Sequence, residues 1–199
     1  MIKTKTKSKK LTTIIMIAGT FLIVSAIAFV MFSVIMENKN ANRAKEITKE
    51  LLEVMPDVSD SVFDDRINTR MSSLEIDGTD FIGILEVPLY SSKLPVCSKW
   101  SKWDVSKYPC RYMGSIYEEK LIIGGSDKKG QLSFMENITE GDSVFFTDVT
   151  GARYSYSVSK IKKTKNVSLE SLSSFEADIV FFAKDSFGSE YTIVGCEAL

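Results

Sequence analysis

From Leu11 to Met36 the chain runs for 26 residues without a charged side chain. A helix of that length crosses a hydrocarbon core about 30 Å thick with some tilt, so it is expected to be a membrane span. The first ten residues hold Lys3, Lys5, Lys7, Lys9 and Lys10 and no acid, which places that tail (1–10) in the cytoplasm and everything after the span (11–36) outside. A cleaved signal peptide is the rival reading, since Ser25-Ala26-Ile27-Ala28 resembles a processing site. Its apolar core would be about 7–15 residues, however, and this run continues past that point, so an uncleaved single-pass anchor is preferred.

Beyond the span, the stretch from Asp178 to Cys196 organises the rest. It reads as a buried strand (Ile179 to Ala183), a polar loop with Gly188, and a second strand from Tyr191 to Cys196. The apolar run is short, β-branched and aromatic, which favours strand over helix. This block resembles the end of a sortase, the cysteine transpeptidase that attaches surface proteins to the Gram-positive cell wall. There a strand of the type Asp-Leu-Thr-Leu-Phe-Thr delivers the nucleophilic Cys, a Gly-bearing loop follows, and an Arg opens the last strand. Without gaps, the Cys position falls on Lys184 and the Arg position on Tyr191. The family's His ends a strand of the type Val-Ile-Ala-Gly-His. The matching stretch is Ile122-Ile123-Gly124-Gly125-Ser126, which puts Ser126 at that position, and the chain contains no histidine.

Other stretches keep the register of the resemblance. Phe81 to Pro88 and Leu94-Pro95-Val96 match the first two barrel strands. Pro109 to Tyr112 leads toward the Ser126 strand, and Val144 to Asp148 with Tyr154 to Val158 match the central hairpin. The resemblance covers about residues 78–197. It implies a mainly β fold: a sortase-like closed β-barrel (78–199) with short helices, after a transmembrane helix and a juxtamembrane helix and linker (37–77).

Without the five N-terminal lysines, 20 of the 25 basic residues face all 26 acids, so the exported part carries a net charge near −6. Nothing in that balance suggests nucleic-acid binding, which would need a basic patch. Cys97, Cys110 and Cys196 form no Cys-x-x-Cys motif, and without histidine there is no usual zinc set. One disulfide or three buried thiols both fit, and buried thiols acting as small apolar groups are favoured.

In chain order, residues 37–42 read as a polar hinge. Ala44, Ile47, Leu51, Leu52 and Met55 recur at helical spacing until Pro56, giving either a helix packed on the barrel or a partner, or a juxtamembrane spacer. Asp57, Asp60, Asp64 and Asp65 offer oxygens of the kind calcium takes, which some sortases use. They lack the ordered spacing of a calcium loop and read as a solvated face, so no cofactor is expected. Trp100 and Trp103 read as aromatics closing one barrel end, or as a grip on a partner or membrane surface. Lys160, Lys162, Lys163 and Lys165 read as a charged edge that discourages strand-to-strand aggregation. A short helix is expected around Leu169 to Leu172.

The resemblance also implies what the substitutions remove. In sortases the thiolate attacks a Thr-Gly carbonyl, the His protonates the leaving amine, and the Arg donates to substrate and oxyanion. An amine then resolves the thioester. A lysine amine at 184 would leave a stable amide, Ser126 is neither acid nor base near neutral pH, and Tyr191 lacks the charge and fork of Arg. Losing one member of such a unit already removes most of the rate. Asp185 or Glu190 is expected to pair with Lys184, turning the site into a structural ion pair or a binding groove. Expected partners are the membrane, sorting-signal peptides, pilin-type surface proteins or an active sortase. The alternatives are a transpeptidase with an unrecognised nucleophile (Cys110, Cys196 or Lys184) and a membrane-tethered β-domain of unrelated role.

Overall fold

The computed structural model describes residues 5–57, 59–60, 71–186 and 188–199. The chain falls into two compact units, Met1–Lys39 and Asn40–Leu199. Helix α1 (Lys5–Val54) is unbroken. Its apolar stretch has a mean hydropathy of 2.6 and none of it is buried by protein, so it is long and apolar enough to cross a membrane. At 1.5 Å per residue the charge-free part alone extends about 39 Å. Residues 37–42, expected as a polar hinge, are helical. The stretch has no Gly or Pro, and Glu37, Lys39 and Ala41 are good helix formers. Three interspersed asparagines do not overcome the cooperativity of the turns on either side.

Within the second unit the elements after α1 are β1 (Ser59–Asp60), β2 (Leu74–Ile76), β3 (Thr79–Val87), β4 (Ser92–Cys97), β5 (Cys110–Gly114), β6 (Leu121–Ser126), β7 (Ser143–Asp148), β8 (Ala152–Thr164), α2 (Leu169–Ser173), β9 (Ile179–Lys184) and β10 (Tyr191–Ala198). Among the described residues, eight strands close into a barrel in the order β8, β10, β9, β6, β5, β4, β3, β7 and back to β8. The expected mainly β, closed-barrel fold is therefore present. Two pairings within the barrel are parallel, β4 with β5 and β6 with β9, and β1 adds a short parallel pairing to β8. The β2–β3 hairpin turns on Asp77-Gly78, both at positive φ (50° and 73°), the conformation that Asp-Gly adopts in tight hairpins.

Strand β9 explains why its sequence shows no alternation. Ile179, Phe181 and Ala183 face the barrel interior with Val96, Ile123, Phe146 and Val194, while Val180 and Phe182 pack outside with Ile122, Ile193, Leu172 and Phe175. A strand buried on both faces reads as a continuous apolar run. Helix α2 supplies the outer cover and starts at a Ser168/Ser171 capping box.

A third cluster fixes the end of α1. Ala44, Ile47, Leu51 and Met55 lie against Phe81, Ile84, Cys97, Tyr108 and Cys110, so this segment packs on β3, β4 and β5. Leu52, expected on the same face, is 42% exposed. On β8, Lys160, Lys162 and Lys163 pair with β10 on one side only, since β7 pairs with the strand's earlier part, 153–157. Among the described residues, Lys160, Lys162 and Lys163 therefore lie along an open edge.

Candidate functional site

Three neighbouring strands bring the sequence-derived positions together. In the parallel pair β6–β9, Ser126 is the register partner of Lys184, and in the antiparallel pair β9–β10, Lys184 is the partner of Tyr191. With strands about 4.8 Å apart, the three side chains form one row across the sheet.

The surroundings fix this row. Ser126 N–H donates to Gln131 Oε1 at 2.9 Å, and its carbonyl accepts from Leu132 N at 3.0 Å. Leu132 is fully buried, as its packing role requires. The Ser126 hydroxyl is buried and, among the described residues, has no hydrogen-bond partner. Asp127 accepts from Ser186 N at 2.9 Å and from the Ser186 hydroxyl, tying the exit of β6 to the β9–β10 loop. That loop closes on itself through Asp185 N to Glu190 O at 2.9 Å and Gly188 N to Asp185 O at 2.7 Å.

The expected ion pair of Lys184 is not formed. Among the described residues Lys184 makes no salt bridge with Asp185 or Glu190. Its ammonium lies over the Tyr191 ring, 5.8 Å from the centroid, within reach of a cation–π attraction. Asp185 Oδ2 instead accepts from Ser189 at 2.9 Å. The exposed amine stays in solvent above an aromatic face, and the carboxylate is used by its own loop.

Two residues back along the same strands, and hence on the same face, are Gly124 and its partner Phe182. Trp100, from the β4–β5 loop, stacks on Phe182 (5.7 Å between centroids, 27°), and Tyr112 meets both rings edge-on. A Cβ at Gly124 would come within 2.3 Å of Phe182 and 2.6 Å of Trp100, so the close approach requires glycine. Trp100, still 40% exposed, thus roofs the sheet beside the Ser126–Lys184–Tyr191 row. Sequence reasoning missed this roof. The signal was the Gly124-Gly125 pair inside an apolar strand, which marks a close approach. Trp103 closes no barrel end: it is 69% exposed, with the Lys107 ammonium 3.9 Å from its ring centroid. Beyond Trp100 and Tyr112 a cleft of about 410 Å³ is bordered by Arg111 and Glu118. Arg111 Nε donates to Ser98 O at 3.0 Å.

Other candidate nucleophiles lie elsewhere. Cys196 is fully buried in the barrel core, and burial pushes its thiol up to about 12. Cys97 and Cys110 are buried beneath α1. Among the described residues no cluster of acids, cysteines or histidines is arranged to hold a metal ion. Of the acids weighed for calcium, Asp64 and Asp65 lie outside the described residues.

No protein-family profile matches the sequence, and no curated protein sequence matches it. Solved structures do. A Clostridium perfringens sortase D5 transpeptidase superposes with a TM-score of 0.53 at 13% identity, over 81% of this chain and 92% of its own. Clostridium perfringens sortase C, in a structure with the C-terminal cell wall sorting motif, gives 0.51 at 16% identity over 82% and 87%. Sortase A from Corynebacterium diphtheriae gives 0.53 at 12% identity over 82% and 84%. The barrel therefore has the sortase fold.

Proposed function

We propose that this chain is a membrane-anchored, extracytoplasmic sortase-family protein without transpeptidase activity, acting as a binding, scaffolding or regulatory module in surface-protein or pilus assembly. The observation that carries this reading is the row Ser126, Lys184, Tyr191. On a barrel of sortase fold, the positions assigned to His, Cys and Arg stand side by side on three paired strands with none of those residues present. The three thiols offer no ready replacement: Cys196 lies in the barrel core with its thiol pushed up by burial, and Cys97 and Cys110 are buried beneath α1. A neighbour of the same fold carries a C-terminal cell wall sorting motif, which makes peptides of that type the first ligands to try. The exposed Lys184 ammonium beside Tyr191 and the aromatic roof suits an extended peptide bearing a carboxylate.

The buried, unpartnered Ser126 hydroxyl beside Lys184 is the one observation that favours the enzymatic alternative, with serine as nucleophile. A single experiment separates the two. The full chain in detergent is incubated with Leu-Pro-x-Thr-Gly-type peptides and an amine acceptor, alongside an active sortase, and intact masses are read. Unchanged protein and peptide masses are expected. Peptide cleavage or an acyl adduct on Ser126, Lys184 or a cysteine would overturn the inactive assignment.

A further inference from the structure

The barrel has one thin seam. Strands β4 and β5 share a single register pair among the described residues, Cys97 opposite Cys110, whereas β3 with β4 and β6 with β9 each run for six. Both cysteines are buried in the same cluster beneath α1, with exposures of 1% and 0%, so their side chains project to the same side of the sheet. Partners on adjacent strands have Cα atoms about 5 Å apart, inside the roughly 4.4–6.8 Å window that a disulfide spans. The neighbouring Cys110 thiol, together with burial, pushes the Cys97 thiol above its ordinary range.

We propose that Cys97 and Cys110 are a modification site, oxidised to a disulfide that staples β4 to β5. The inference rests on the seam alone and is independent of the function proposed above. The oxidant is a disulfide, which the thiols meet before the seam closes. The Cys97 thiolate attacks one of its sulfurs, forming a mixed disulfide and releasing one thiol. The Cys110 thiolate then attacks Cys97 sulfur and releases the second. Two protein thiols lose two electrons and two protons, and one oxidant disulfide becomes two thiols. The staple closes a loop of about 14 residues, from Cys97 to Cys110, that carries Trp100, so it also anchors the roof over Phe182.

The full chain in detergent is refolded with reduced or oxidised glutathione, quenched with N-ethylmaleimide, denatured and mapped. In the oxidised sample one adduct is expected, on Cys196, with the Cys97 and Cys110 peptides joined and 2 Da lighter than their sum. The oxidised protein should melt about 6–12 °C above the reduced one. Cys97→Ala should abolish that difference and Cys196→Ala should keep it. Three adducts after oxidation, a disulfide that includes Cys196, or equal melting temperatures of both forms would each overturn the proposal.

Discussion

Gly124 is the residue on which the aromatic roof depends. In Gly124→Ala the new Cβ would overlap Phe182 and Trp100, so the rings must shift rather than the backbone. The cost should be about 1–3 kcal/mol in urea unfolding, with a change in tryptophan emission. Wild-type stability with unchanged emission would show that Trp100 does not rest there. Cys196 makes a second prediction, in pH. Its folded thiol titrates near 12, above the ordinary value of about 8.5. The native state therefore keeps a proton that the unfolded chain has already lost. Stability from this group is full below about pH 8.5 and is lost as the pH rises toward 12. The hydroxyls of half-buried Tyr117 and buried Tyr156 are also pushed up, by desolvation first, and steepen the loss. Cys196→Ala should flatten the slope of unfolding free energy by about 1.4 kcal/mol per pH unit in that window, followed by denaturant melts at stepped pH. An unchanged slope would mean that the thiol is not buried in the folded state. Individual site residues were legible only where neighbours along the chain define them. Ser126, Lys184 and Tyr191 sit at strand ends flanked by recognisable apolar runs. The Trp100–Phe182 stack joins residues 82 positions apart, and nothing local announces it. Lys184 shows the same limit: two adjacent carboxylates suggested an ion pair, but the loop uses Asp185 for itself.

At the scale of elements, periodicity was the dependable signal and composition the weaker one. The spacing of Ala44, Ile47, Leu51 and Met55 marks the face of α1 that packs on β3, β4 and β5. Adding Leu52 to that face was wrong by one step around the helix. The polar composition of 37–42 suggested a hinge, yet charged and amide side chains lie on helix surfaces without breaking them. The packing is testable by contrast. Leu51→Ala, at a position with 0% exposure, should cost about 2–5 kcal/mol, while Leu52→Ala, 42% exposed, should fall within about 0.5 kcal/mol of wild type. Similar small effects at both sites, in thermal or urea unfolding of the full chain, would mean that this part of α1 does not pack on the barrel. Lysines 160, 162 and 163 act at the same scale. Among the described residues they sit on the part of β8 that pairs only with β10, where charge discourages that edge from recruiting another chain.

For the whole molecule, the barrel was legible because its strands are short, apolar and punctuated by turns, and because the resemblance places them in one order. What sequence spacing could not supply was closure, which depends on β7 pairing with both β3 and β8, far apart along the chain. The first unit raises a different physical question. Along α1 the side chains of Phe21, Phe29 and Phe32 are 69%, 74% and 62% exposed to their surroundings. In water that surface would drive aggregation; in hydrocarbon it is solvated, and the backbone groups within the span are paired along the helix. The full chain should therefore remain with the membrane fraction after alkaline carbonate washing, and a chain beginning at Asn40 should be recovered in the soluble fraction. The proposed orientation, with the lysines before the span in the cytoplasm, predicts that protease added outside intact protoplasts degrades the second unit and spares an N-terminal tag. Carbonate release of the full chain would remove the anchor from the proposed function. Protection of the second unit from external protease would reverse its orientation and place the barrel on the cytoplasmic side, away from any surface-protein assembly.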